Sequence, residues 1–105
     1  MTDKRLVLTT AGSRDEARRI AEALVDRKLA ACVNIVPGII SIYRWQEKRE
    51  EADEWLLLIK TTSAAFPQVR DAIDETHSYE LPETLCLGIE DGGAAYLDWL
   101  GNSVE

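Results

Sequence analysis

The side chains best suited to metal chemistry lie on one short segment, residues 77–83. His77 is the only histidine of the chain, and Glu80 and Glu83 follow it at intervals of three residues. Divalent transition metals accept imidazole and carboxylate donors, provided that two or more of them converge. The sequence therefore predicts a metal site at His77, Glu80 and Glu83. The alternative is a structural histidine at a helix end, stabilised by the helix dipole.

A second set of candidates is aromatic. Tyr43 and Trp45 alternate on one strand and so share a face, while Tyr79 and Trp99 come from later parts of the chain. Aromatic rings with polar groups can line small-molecule pockets at interfaces, so these four residues are candidates for an inter-subunit cleft. Packing between subunits explains the same pattern at least as well.

Lys60 and the two cysteines complete the candidates. Lys60 ends an otherwise apolar strand, where it would meet an anionic ligand or pair with a carboxylate such as Glu80. Cys32 and Cys86 lack the CxxC spacing of zinc and redox sites, so we expect buried packing thiols and no disulfide. Cys32 shares a strand with Tyr43 and joins the cleft candidates. No paired nucleophile and base and no Gly-rich phosphate loop is visible, so we do not expect an enzyme.

These candidates depend for their position on one stretch, Leu29 to Trp45. Its β-branched and aromatic residues predict a strand, and Pro37-Gly38 argues against a helix and marks a kink or bulge. Its seventeen residues would span roughly 56 Å, at about 3.3 Å each. A domain of this length has a radius of gyration of only about 13 Å. We therefore expect the strand to overhang its own domain and to pair within an oligomer.

The other elements follow from hydrophobic spacing and capping residues. Ser13 and Glu16 match a capping box at the start of the first helix. Pro67 fits only the first turn of the second helix, and Gly101 is a plausible C-cap of the third. A charged turn is predicted at 47–53, within the acidic run EKREEADE. The predicted strands are 5–10, 29–45, 54–62 and 84–90, and the predicted helices are 13–28, 63–76 and 94–100.

This order of elements predicts the fold class. A β-α-β-β-α-β order followed by a terminal helix indicates an α+β, ferredoxin-like sandwich with helices on one face of a four-stranded sheet. The first and third strands are central in that topology, and the second lies at an edge. The length argues for a single domain, residues 1–105.

Charge and hydropathy exclude other classes. The net charge of −7 disfavours nucleic acid as a partner, because phosphate binding requires a basic face. No apolar run is long enough to span a bilayer, and the N-terminus lacks the apolar region of a signal peptide. We therefore expect a cytoplasmic location and no membrane partner.

Three segments together resemble the divalent-cation tolerance protein CutA family. They are LAACVNIVPGIISIYRWQ at Leu29 to Gln46, HSYELPE at His77 to Glu83, and YLDWL at Tyr96 to Leu100. The resemblance implies a ferredoxin-like fold and a homotrimer similar in architecture to the PII signalling trimers. It also implies a cytoplasmic protein that binds divalent cations such as copper and is linked to metal tolerance. No obligatory cofactor is implied.

The chain departs from that family at positions that matter for copper. The family usually has His-Pro-Tyr where this chain has His77-Ser78-Tyr79. Copper-binding relatives carry a cysteine at the position of Thr9 and a second histidine at that of Thr76. Any site here would therefore depend on His77 and carboxylates. The alternative function is a PII-like sensor or adaptor, with a small molecule or protein partner bound between subunits at Tyr43, Trp45, Lys60, Tyr79, Glu80 and Trp99.

Overall fold

One antiparallel sheet of four strands carries the other elements of the chain. The computed structural model describes residues 2–105, so residue 1 of the predicted domain lies outside the described residues. The elements are β1 (Lys4–Ala11), α1 (Arg14–Asp26), β2 (Cys32–Trp45), β3 (Lys48–Thr62), α2 (Phe66–Thr76), β4 (Leu85–Gly88) and α3 (Ala94–Asn102). The sheet order is β2-β3-β1-β4, which confirms the α+β fold, the edge position of the second strand and the central positions of the first and third.

The core lies between the sheet and helices α1 and α2. Side chains alternate along β1 and β3, so every second residue faces the helices. Val7, Leu57 and Ile59 are completely buried there, and burying one such side chain contributes about 1.5–3 kcal/mol. The apolar faces predicted for the two helices pack against them, through residues that include Ala17, Ile20, Leu24, Val69, Ala72 and Ile73.

Helix α3 packs outside this core, at the end of the sheet where β1 begins. Its one buried residue, Leu100, is not part of the cluster formed with α1 and α2. Gly101 is not the predicted C-cap, because the helix runs through it and ends at the cap residue Ser103. A Cβ at Gly101 would lie 3.2 Å from the Lys4 side chain, so the glycine permits close packing here instead of ending the helix.

Strands β2 and β3 continue beyond the sheet as a two-stranded ribbon. From Ile39 to Trp45, β2 pairs with residues 48–54 of β3, while β1 pairs with β3 only from Trp55 onward. The molecule is consequently 44 Å long with a radius of gyration of 14.2 Å, above the value of about 13 Å for this chain length. The predicted overhang is confirmed. Two details differ: β2 begins at Cys32 and not at Leu29, and the strand that pairs with its overhanging part is β3 of the same chain.

The charged turn predicted at 47–53 is wrong. The turn consists of Gln46 and Glu47, both with positive φ (50° and 66°), and β3 begins directly afterwards at Lys48. Positive φ at two central residues is what a type I′ hairpin turn requires, because its twist matches that of the strands. The acidic residues are compatible with a strand because the ribbon leaves most of their side chains exposed to solvent.

The kink predicted at Pro37-Gly38 is confirmed. The pairing of β2 with β3 shifts register between Val36 and Ile39, and Gly38 has a φ of 75°. Two other boundaries are shorter than predicted: α2 begins at Phe66 with Ala65 as its cap, and β4 covers only the residues that pair with Arg5 to Leu8. Among the described helices, none is long and apolar enough to cross a membrane.

We expect Gly38→Ala to destabilise the chain by about 1–2 kcal/mol, the cost of a left-handed conformation for a residue with a Cβ. No atom lies within 4 Å of the added carbon, so the effect is conformational and not steric. Gly93→Ala serves as the comparison, since Gly93 has equal space and a φ of −61°, and the added carbon there costs only the smaller preference for glycine over alanine at a helix N-cap. Chemical denaturation measures the free energy of unfolding of both variants. Equal losses of stability at the two glycines would contradict the assignment of the effect to the positive φ of Gly38.

Candidate functional site

A cleft of about 640 Å³ lies at the base of the ribbon. One wall is formed by the ribbon, including Glu54, and the other by the connection between α2 and β4. Thr10 of β1 contributes one further residue. Five residues predicted from sequence meet here: Tyr43, Trp45, Tyr79, Glu80 and Glu83. Thr10, Ser41, Ile42, Arg44, Glu54 and Leu81 complete the lining.

The ribbon wall is aromatic. Tyr43 lies opposite Glu50 and Trp45 opposite Lys48 in the ladder, and residues two apart on a strand project from the same face. The predicted shared face of Tyr43 and Trp45 is therefore confirmed. Both rings are partly exposed, at 46% and 36%, so they are available to a ligand in the cleft.

Tyr79 joins the two walls through a hydrogen bond. Its hydroxyl donates to Oε2 of Glu54 at 2.7 Å, and Glu54 is only 6% exposed. Burial, followed by this bond to a carboxylate, raises the pKa of Tyr79 far above its ordinary value. Tyr79 therefore remains a neutral hydrogen-bond donor at physiological pH.

Gly12 leaves the space that the Tyr79 ring occupies. A Cβ at this position would lie 2.8 Å from the Tyr79 hydroxyl oxygen and 3.3 Å from its ring. Any larger residue at Gly12 would have to displace the ring. The turn between β1 and α1 thus helps to hold Tyr79 against Glu54.

The carboxylates make the cleft electronegative. Glu83 shares it with Glu54 and Glu80. Partial burial, and after it the negative charge of Glu54, raises the pKa of Glu83. A raised carboxyl pKa means that the negative charge is unfavourable here, and a bound cation would relieve it.

His77 lies behind the cleft and does not line it. Its side chain is fully buried, and its Nε2 lies 2.5 Å from the Thr10 carbonyl oxygen. A carbonyl oxygen only accepts, so Nε2 donates, and Nδ1 accepts the Tyr79 backbone N–H at 3.1 Å. Both ring nitrogens are thus engaged, and the backbone N–H of His77 also bonds the last turn of α2.

The predicted ligand set of His77, Glu80 and Glu83 is therefore not assembled within one chain. Among residues 2–105, no three His, Cys, Asp or Glu side chains are grouped so that they could hold a metal ion. The two glutamates lie in the cleft, whereas the imidazole is turned toward β1. The geometry around His77 is that of the structural alternative.

Three other candidates lie away from the cleft. The Lys60 amine contacts the side-chain oxygen of Asn34 and, at 4.0 Å, the Cys32 sulfur, so its predicted pairing with Glu80 is wrong. Trp99 packs against Tyr96, with ring centroids 5.4 Å apart. The register of β2 and the position of α3 separate these side chains from the ribbon wall.

The prediction of two buried thiols is wrong. Both cysteines are free; Cys32 is half-buried and Cys86 is exposed. Cys86 lies on β4, a short strand at the sheet edge. At an edge, an apolar residue in an alternating pattern is not necessarily covered by a helix, so the pattern does not show that it is buried.

Glu54 and Glu16 were not singled out from the sequence as site residues. Glu54 belongs to an acidic run that suggested a solvated turn, and only the continuation of β3 into the ribbon places it beneath Tyr79. Glu16 matches the capping box by its spacing. Ser13 does accept the Glu16 backbone N–H at 3.1 Å, but the Glu16 carboxylate turns away and accepts the Ser78 N–H at 3.2 Å.

The sequence and the fold have close counterparts among known proteins. The family model CutA1, described as CutA1 divalent ion tolerance protein, matches residues 5–103. The divalent-cation tolerance protein CutA of Thermus thermophilus is 53% identical over 90% of this chain and 92% of its own length. A solved structure of the divalent cation tolerance protein (Cut A1) from Thermus thermophilus superposes with a TM-score of 0.95 at 49% identity, covering 97% and 99% of the two chains. A chloroplastic CutA protein of Arabidopsis thaliana is 41% identical, and this chain spans 55% of its length.

The chain is an α+β protein with a ferredoxin-like sandwich, from which a two-stranded ribbon protrudes. Within that class, the chain belongs to the CutA1 family of divalent ion tolerance proteins. The resemblance seen in the sequence is thereby confirmed at the level of the family.

We expect Gly12→Ala to cost about 1–3 kcal/mol of stability, as overpacking of a filled site does, and to displace Tyr79 from Glu54. Thermal unfolding measures the cost. In a Tyr79→Phe background the closest clashing atom is missing, so the same substitution should cost less. An equal cost in both backgrounds would show that the Tyr79 hydroxyl does not limit the space at Gly12.

Proposed function

We propose that this protein is a homotrimer that binds a divalent cation, copper among them, at its acidic cleft and acts in metal-ion tolerance. The single observation that carries the proposal is the concentration of negative charge in one cleft, which Glu54, Glu80 and Glu83 all line, although among the described residues they do not form a complete ligand set within one chain. The names of its relatives, divalent-cation tolerance proteins, agree with that chemistry. The role is binding and not catalysis, since the buried His77 is not placed to serve as a base for a cleft ligand. A cytoplasmic location is part of the proposal.

The donor set of the cleft fits oxygen-ligated cations. Carboxylates suit Mg²⁺, Ca²⁺ and Mn²⁺, while Cu²⁺ has the highest affinity of the first-row divalent ions for a given site. Glu54 is engaged by Tyr79, so Glu80 and Glu83 are the residues that would hold the ion. Carboxylates of a neighbouring copy or water would complete the coordination.

An apolar sheet face supports the trimer. On the face turned away from α1 and α2, Leu8 lies opposite Leu58 on one side and Leu85 on the other. Leu85 and Leu87 are 53% and 45% exposed. A contiguous apolar surface of this kind is characteristic of interfaces between subunits. The number of three copies follows the resemblance to the CutA family, and the cleft would then lie beside a neighbouring subunit.

The aromatic wall favours a second candidate, a PII-like sensor that binds a small molecule. Pockets for small ligands have volumes of about 300–1,000 Å³ and are lined by aromatic side chains with a few polar groups. The cleft, of about 640 Å³, falls in that range, with Tyr43, Trp45 and Tyr79 along it. A thermal-shift screen tests this candidate: it requires a ligand whose stabilisation is lost in Trp45→Ala.

We expect isothermal titration to show stoichiometric binding of Cu²⁺, and weaker binding of Mn²⁺, at pH 7. Glu80→Gln and Glu83→Gln should each weaken binding by about tenfold or more, since losing a ligand costs at least as much as losing an outer-shell partner. Binding should also weaken as the pH falls through the raised pKa of Glu83, because protons compete with the metal for the carboxylate.

Glu75→Gln is the matched control for these variants. Glu75 is exposed on α2 and does not line the cleft, so this variant changes the net charge equally and should leave binding unchanged. The proposal fails if the wild-type protein gives no binding heat, or if all three variants bind alike.

For the oligomer, we expect analytical ultracentrifugation to give three times the mass of the chain. Leu58→Lys should yield monomers, because a charge at the centre of the apolar face would have to be buried without a partner. Val25→Lys serves as the control, since Val25 is exposed on α1, away from this face. A wild-type monomer, or a trimer that persists in Leu58→Lys, would contradict the assigned interface.

A further inference from the structure

The carboxylate of Glu16 is buried although it sits in the exposed first turn of α1. Its side chain is 5% exposed, and it faces the connection that follows α2 instead of its own helix end. Oε2 accepts the Ser78 backbone N–H at 3.2 Å. Oε1 lies 3.4 Å from Nδ1 of His77 and has no hydrogen-bond partner among the described residues.

This placement is unfavourable unless the bond from the Ser78 N–H compensates for the burial of the carboxylate. A buried carboxylate requires compensation from donors or opposite charge. Arg19 contributes at 3.8 Å, but its side chain is 61% exposed, so its effect is screened by solvent. The N-terminal dipole of α1 favours a negative charge here, and the Ser78 N–H supplies the direct bond.

Ser78, which Glu16 holds, lies between the two residues that connect this segment to β1 and to the cleft. His77 donates from Nε2 to the Thr10 carbonyl, and its Nδ1 accepts the Tyr79 N–H, so Nδ1 has no proton to donate to Oε1 of Glu16. Tyr79 then donates to Glu54 in the cleft. Buried hydrogen bonds of this kind favour one arrangement of a segment, because a buried polar group that loses its partner is costly.

We infer that Glu16 is a positioning residue for the cleft: its bond to Ser78 holds the segment that places Tyr79, Glu80 and Glu83. Glu16 itself does not line the cleft and would not touch a ligand. The inference deepens the proposed function, on which it rests for its effect on cation binding. Its effect on the position of Tyr79 can be measured without any ligand.

The test uses Glu16→Met, which keeps the length of the side chain and removes the acceptor, and Glu16→Gln, which retains an oxygen acceptor. We expect the Ser78 amide to exchange with solvent about tenfold faster or more in Glu16→Met, since bonds to charged acceptors are among the stronger ones. Contacts between the Tyr79 ring and Gly12, measured as nuclear Overhauser effects, should weaken in the same variant. Glu16→Gln should restore most of the slow exchange of the Ser78 amide and most of the Tyr79–Gly12 contacts.

The cation affinity provides the functional readout. Titration with Cu²⁺ should show about tenfold weaker binding in Glu16→Met, with recovery in Glu16→Gln. Glu22→Met, on the exposed face of α1, is the control and should change none of these measurements. If Glu16→Met does not fold, Glu16→Asp takes its place, since it keeps the charge at the helix start but is too short to reach Ser78.

The outcomes separate this inference from the proposed function. Unchanged Ser78 exchange and unchanged Tyr79 contacts in Glu16→Met would overturn the positioning role. Faster Ser78 exchange with an intact Tyr79–Gly12 contact would also overturn it, because Glu16 would then act on stability alone. If the wild-type protein binds no cation, the proposed function fails, while the Tyr79 contacts still decide whether Glu16 positions the cleft.

Discussion

The pairing of β2 with β3, which runs from Cys32 to Trp45 with one bulge, is the constraint on which the rest of this structure depends. Within the sheet, the ladder makes β3 a central strand with β1 on its other side. Beyond the sheet, the same ladder continues as a ribbon that carries Tyr43 and Trp45 above the cleft and brings Glu54 beneath them. The bulge at Pro37-Gly38 lets the ribbon change direction where the core ends. One hairpin therefore supplies the sheet edge, the protrusion and one wall of the cleft.

The second wall is held by polar contacts and not by apolar packing. The connection after α2 carries no regular structure, yet it is tied to the end of β1 by His77, to α1 by Glu16 and to β3 by Tyr79. Such bonds are worth more in a water-poor interior than at a surface. Both ring nitrogens of the only histidine are engaged in holding the segment. The metal-binding groups that face the cleft are therefore carboxylates, and a ligand there would meet oxygen donors and not an imidazole.

Most of the fold could be predicted because its signals are local. The alternation and helical spacing of apolar residues indicated the order of elements, and Pro37-Gly38 indicated the bulge. The error at residues 47–53 has a physical cause: a ribbon exposed to solvent on much of its surface has no buried face, so its strand shows no hydrophobic period. Of the candidate site, the aromatic pair and the two glutamates after His77 were found, whereas Glu54 was hidden in a run that suggested a solvated turn.

The sequence by itself determined the βαββαβ order, the edge position of the long strand, the shared face of Tyr43 and Trp45, and the Ser13 cap of α1. Each depends on backbone geometry and on neighbours within a few residues, which spacing records directly. Only the tertiary structure decided that His77 faces Thr10 and not the cleft, that Tyr79 bonds Glu54, and that the Glu16 carboxylate leaves its own helix for Ser78. These contacts join residues far apart in the chain. They depend on which polar groups become buried together, because each buried polar group must then find a hydrogen-bond partner.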